Sequence, residues 1–103
     1  MKIKIINTTT DSYETADKIA KLLVSAELSP CVQIIPEMKS IYFWKGNLEE
    51  SSEVLLSIKT ISEKVQSCKE LILKHHDYHI PELIVMDAMI LSDDYKGWFN
   101  ENS

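Results

Sequence analysis

Glycine, proline and cysteine are scarce in this 103-residue chain, with two, three and two residues respectively. So few breakers leave little to divide it, no low-complexity segment or internal repeat is visible, and one domain spanning residues 1–103 is expected. Cys31 and Cys68 lack CxxC spacing and any other sign of a disulfide framework, which suits a reducing, cytoplasmic location. Basic residues number 11 against 16 acidic ones, for a net charge of −5. That balance argues against a nucleic-acid partner, because phosphate backbones are held by clustered lysine and arginine. No apolar run approaches membrane-spanning length, and Met1 to Asn7 turns polar too soon for a signal peptide, so no membrane partner is expected. What the chain does have is 45% hydrophobic residues, enough for a core without disulfides or a structural metal.

Those hydrophobic residues are patterned. Lys2 to Asn7 alternates around Ile3 and Ile5 and runs into Thr8-Thr9-Thr10-Asp11, a strand followed by a helix cap. Asp11 and Glu14 have capping-box spacing, and Ala16, Ile19, Ala20, Leu23 and Ala26 form one apolar stripe, predicting a helix over roughly 12–27. Cys31 to Ile35 and Ser40 to Trp44 read as strand, with a bulge or edge at Pro36 between them. Lys45-Gly46-Asn47-Leu48 supplies a turn, and Glu53 to Thr60 returns as a strand. Its Val54, Leu56 and Ile58 share one face, while Glu53, Leu55, Ser57 and Lys59 share the other. Thr60 and Glu63 predict the start of a second helix with Val65, Cys68, Ile72 and His75 on one stripe, making Cys68 a core thiol. Leu83 to Ile90, apolar apart from Asp87, predicts a central strand covered on both faces. Ser92 caps a short last helix carrying Tyr95, Trp98 and Phe99. The order β-α-β-β-α-β plus a C-terminal helix is that of an α+β, ferredoxin-like domain: one antiparallel sheet with both long helices on one face. The other face is left for oligomerisation to cover.

The chemistry concentrates in His75-His76-Asp77-Tyr78-His79-Ile80-Pro81-Glu82, where all three histidines fall within five positions between a helix and a strand. Imidazole, carboxylate and phenol in one loop suit a metal or ligand site. Histidines at a helix C-terminus also suit its last carbonyls and dipole. His76 and His79 converge if the helix stops at once, whereas His75 and His79 share a face if it continues one turn. Glu53, Lys59 and Glu82 form either a polar cluster or a simple ion pair.

Cys31-Val32-Gln33-Ile34-Ile35-Pro36, Ser40-Ile41-Tyr42-Phe43-Trp44-Lys45-Gly46, Glu53-Val54 through Ile58-Lys59-Thr60, and His76-x-Tyr78-x-x-Pro81-Glu82 resemble, in order and spacing, the CutA divalent-cation-tolerance family. The resemblance covers nearly the whole chain. It implies a homotrimer of ferredoxin-like subunits akin to the PII-type signalling proteins, with the Trp44 hairpin reaching a neighbour and ligand clefts between subunits. It further implies a non-enzymatic protein that binds copper or another divalent metal ion and contributes to metal tolerance. Two residues depart from the family pattern: Gln33 stands for the usual asparagine, and His79 stands where an acidic residue is common. The second change adds a borderline nitrogen donor that favours copper, zinc or nickel over magnesium or calcium.

On these grounds the expected metal ligands are Cys31, His76, His79 and Glu82, and the expected cleft residues are Trp44, Glu53, Lys59 and Tyr78. A PII-like sensor of a small anion or metabolite, built on Lys59, Tyr78 and Glu82, is the alternative. An acid–base pair of His76 and Glu82 lacks a nucleophile and a phosphate loop to work with, and a purely structural trimer is the remaining possibility.

Overall fold

The computed structural model describes all 103 residues. Four strands, β1 (Lys2–Thr10), β2 (Cys31–Trp44), β3 (Asn47–Thr60) and β4 (Ile84–Met89), form one antiparallel sheet in the order β2-β3-β1-β4. Helices α1 (Tyr13–Ser25), α2 (Val65–His75) and α3 (Asp93–Glu101) complete a mixed α+β fold. No helix is long and apolar enough to cross a membrane.

The core follows from the strand and helix periods. Val54, Leu56 and Ile58 alternate onto one face of β3, where Ile6 of β1 joins them. Ala16, Ile19, Ala20 and Leu23 on α1, and Cys68 and Ile72 on α2, cover that face in one buried cluster. Burying each large aliphatic side chain contributes roughly 1.5–3 kcal/mol. Cys68 is a core thiol as expected: its Sγ donates to the Leu28 carbonyl at 3.5 Å, and burial pushes its pKa up.

Both expected capping boxes give way to other residues. Ser12, not Asp11, caps α1, its hydroxyl accepting from the Thr15 N–H at 3.2 Å. Thr60 caps nothing; its hydroxyl donates to the Leu28 carbonyl at 2.7 Å, and α2 is entered through a short 3-10 turn, Ser62–Lys64. Ser92 does cap α3, accepting from the Tyr95 N–H. Phe99 on that helix is fully buried, while Trp98 remains 41% exposed.

The return strand starts at Asn47, six residues before the expected Glu53, because the turn takes only Lys45 and Gly46. Both have positive φ, 51° and 80°, as a two-residue turn matched to strand twist requires. The resulting hairpin projects from the body, and the molecule measures 46 × 25 × 22 Å. The bulge expected at Pro36 is present: Pro36 and Glu37 together oppose Val54 on β3, with Glu37 at φ 59°.

Leu83 to Ile90 is not a central strand. β4 pairs only with β1 and lies at the sheet edge, with Ile84, Val85, Met86 and Met89 all exposed in the single chain. Periodicity cannot separate a strand covered by its own chain from one covered by something else. Its one charge, Asp87, lies directly across from Lys4 and pairs with it.

Candidate functional site

The C-terminal half of β1 organises the site. Thr8, Thr9 and Thr10 continue the strand rather than leaving it, paired with Leu56, Leu55 and Val54. β4 starts too late to pair with Thr8 to Thr10, and the 76–82 loop occupies that stretch of edge instead. The Thr8 hydroxyl donates to the Glu82 carbonyl at 2.7 Å. The Thr10 and Thr15 hydroxyls donate to the two carboxylate oxygens of Asp77 at 3.0 and 3.2 Å. These bonds satisfy three hydroxyls and pin both ends of the loop.

α2 ends at His75, and His76 turns inward with a side chain only 1% exposed. Its Nδ1 accepts from the Tyr78 N–H at 3.0 Å, and its Nε2 donates to the Thr9 carbonyl at 2.9 Å. Both ring nitrogens are therefore engaged inside the chain. His76 is a structural joint whose nitrogens are both taken, whereas His79 is exposed and lines a cleft that His76 does not.

Tyr78 carries the loop over to the face opposite α1 and α2. Its hydroxyl donates to Oε2 of Glu53 at 2.7 Å. Burial first, and the hydrogen bond to Glu53 second, push the Tyr78 phenol well above its ordinary range, so it holds its proton and donates. Glu53 is 8% exposed, and its Oε1 has no hydrogen-bonding or ionic partner in the chain.

The Pro36 bulge decides what stands opposite this loop. Before it, Val32 and Ile34 pair with Ile58 and Leu56 on the core face. After it, Met38, Ser40, Tyr42 and Trp44 pair with Glu53, Ser51, Glu49 and Asn47, so these even-numbered residues now lie on the other face. Tyr42 and Trp44 thereby share a face with Glu53. Together with the loop they enclose a cleft of about 890 Å³ whose lining includes Tyr42, Trp44, Glu49, Glu53, Asp77, Tyr78, His79 and Glu82. Its ionisable side chains are four carboxylates, one imidazole and two phenols; no lysine lines it, and the chain has no arginine.

Trp44, Glu53, Tyr78, His79 and Glu82 all line this cleft. Lys59 and Cys31 are not. Lys59 lies on the same face of β3 as Glu53 but six residues along it, about 20 Å at 3.3 Å per residue. Its amine is hydrogen-bonded to Oε1 of Gln33. Cys31 pairs with Lys59 at that far end, next to Tyr95 of α3, whose phenol is pushed up by burial and then by the Cys31 sulfur. Within one chain, no group of three or more histidine, cysteine, aspartate or glutamate side chains is arranged to hold a metal ion. Tyr42, Glu49 and Asp77 also line the cleft, beyond the residues the sequence singles out. The signal for Tyr42 is the bulge, which reverses the parity of β2; for Glu49 it is plain alternation with Glu53 along β3; for Asp77 it is the setting within the histidine loop.

Several known proteins share this sequence and architecture. The divalent-cation tolerance protein CutA of Thermus thermophilus is 35% identical over 97% of this chain and 97% of its own length. A Xenopus laevis CutA homolog is 42% identical over 84% of this chain, which spans only 57% of that longer protein. The crystal structure of CutA1 from a psychrotrophic Shewanella superposes with a TM-score of 0.91 at 34% identity, covering 98% of this chain and 94% of the other. The model of the CutA1 divalent ion tolerance protein family matches residues 4–102, and with that match the chain belongs to the CutA1 family.

Proposed function

We propose that this protein is a non-enzymatic, homotrimeric CutA-type subunit of ferredoxin-like topology that contributes to metal tolerance by binding a divalent cation in the Trp44–Tyr78 cleft. The observation that carries this reading is the lining of the cleft, which holds Glu49, Glu53, Asp77, Glu82 and His79 and no lysine. Such a wall attracts cations and repels anions. Asp77 is committed to Thr10 and Thr15, leaving His79 and Glu82 as the loop donors. An imidazole beside carboxylates suits copper or zinc better than magnesium or calcium. The anion-sensing alternative loses its cation, since Lys59 lies outside the cleft and is paired with Gln33.

Calorimetric titration of metal-stripped protein with Cu(II) and Zn(II) tests the reading. A His79→Ala/Glu82→Gln variant of unchanged oligomeric state is expected to bind at least tenfold more weakly, and wild-type binding is expected to weaken in acid, because a protonated imidazole cannot ligate. Equal binding by both proteins would refute the assignment.

The trimer is supported by the apolar side chains the single chain leaves in water: Ile41, Phe43 and Leu48 on the hairpin and Ile84, Val85 and Met89 on β4. Copies packed about a closed axis would cover both edges of the sheet. Sedimentation at micromolar concentration is expected to give the mass of three chains; a monomer would overturn this part. We place the protein in the cytoplasm because Cys31 and Cys68 are unpaired thiols.

A further inference from the structure

His76 is an ionisable side chain buried behind the cleft, against its lining residues Thr9 and Tyr78, and is not among the cation donors. Its hydrogen bonds determine its tautomer. A backbone N–H only donates, so the Nδ1 that faces the Tyr78 N–H holds a lone pair; a carbonyl only accepts, so the Nε2 that faces Thr9 carries the hydrogen. The neutral ring thus bridges the β1 edge and the loop, with the Tyr78 ring packed on it at 5.0 Å between centroids.

We infer that His76 is a positioning residue of the cleft, holding Tyr78 against Glu53 only while its imidazole is neutral; this rests on the reading of that cleft as the binding site. A proton taken up at Nδ1 sets two donors face to face and removes the Tyr78 amide bond. A new acceptor is at hand, because Oδ1 of Asp77 lies 3.5 Å from Nδ1. The Nε2 bond to Thr9 survives in both states, so the ring keeps its place while its second bond moves from Tyr78 to Asp77. Turning toward His76 draws Asp77 away from the Thr10 hydroxyl, which loosens the loop at a second point. The titratable groups around the switch are Asp77 on the loop, Glu53 on β3 beyond the Tyr78 hydroxyl, Asp11 after β1, and the exposed His79 that follows Tyr78. α1 contributes the neutral Thr15 hydroxyl, and α2 the adjoining His75. Once Tyr78 is released, Glu53 loses its hydroxyl donor and both of its oxygens are free to turn.

The test is nuclear magnetic resonance of the full-length, metal-free, ¹⁵N-labelled protein between about pH 8 and pH 5, where histidines exchange their proton. It follows the His76 ring nitrogens and the Tyr78 amide in wild type and in His76→Gln. Glutamine can accept from Tyr78 and donate to Thr9 but takes up no proton. In wild type, His76 is expected as the Nε2–H tautomer at high pH, with the Tyr78 amide shifting as the ring protonates. In His76→Gln, the amide is expected to show only the small residual shift that the neighbouring His79 imparts. The inference is overturned if the ring is found as the Nδ1–H tautomer, if it stays neutral down to about pH 5, or if it protonates without moving Tyr78. An equal shift in His76→Gln also overturns it. No cation is added, so this result and the calorimetric one fail independently.

Discussion

Replacing Leu56 by alanine is expected to destabilise the protein by about 2–5 kcal/mol, the cost of deleting a large aliphatic group from a packed core. Leu56 is fully buried at the middle of β3, between Ile34 and Thr8 on the neighbouring strands and beneath the two long helices. Against a total stability of roughly 5–15 kcal/mol, the loss is a large fraction. Urea unfolding at one fixed protein concentration measures it. Leu55→Ala is the control: Leu55 is the adjacent residue on the opposite, half-exposed face and is expected to cost less. Equal losses would mean that the two faces of β3 are not distinguished as described.

Tyr78→Phe is expected to cost about 1–3 kcal/mol, because it leaves Oε2 of the buried Glu53 without its donor. The same variant carries a pH signature. The folded-state pKa of Tyr78 is raised above its ordinary value of 10.0, so above that pH the unfolded chain releases this proton while the folded chain retains it. The folded state then binds more protons, and its stability falls as pH rises. The stability gap between wild type and Tyr78→Phe is therefore expected to be full below about pH 10 and to shrink above it. Unfolding curves for the pair at neutral and alkaline pH check this, and a gap that widened with pH would contradict the donor role of Tyr78.

Much of the architecture was legible residue by residue. The stripe Ala16, Ile19, Ala20 and Leu23 marks the buried face of α1, and Val54, Leu56 and Ile58 mark the buried face of β3. Pro36 marks the bulge and Lys45-Gly46 the turn. Each of these depends on neighbours a few positions away: a helical or strand period, a missing N–H, a residue tolerant of positive φ. The caps were less legible, since Asp11, Ser12 and Thr60 are all competent and only the chain's actual path decides which hydroxyl or carboxylate meets a free N–H.

The sequence by itself determined the element order, the core stripes, family membership and the wealth of carboxylate and imidazole in one loop. Tertiary structure alone decided what those groups can do. It placed β4 at the sheet edge, where an apolar run meets no covering element of its own chain. It set Cys31 and Lys59 about 20 Å along the strand from Glu53, a distance that face parity cannot reveal. It consumed both nitrogens of His76 on β1 and Tyr78, while leaving the chemically identical His79 open to the cleft. The reason is physical: periods and turns are governed by short-range sterics, whereas the pairing of β1, the bulge that reverses the face of Tyr42 and Trp44, and the hydrogen bonds at a strand edge exist only once segments distant in sequence have met.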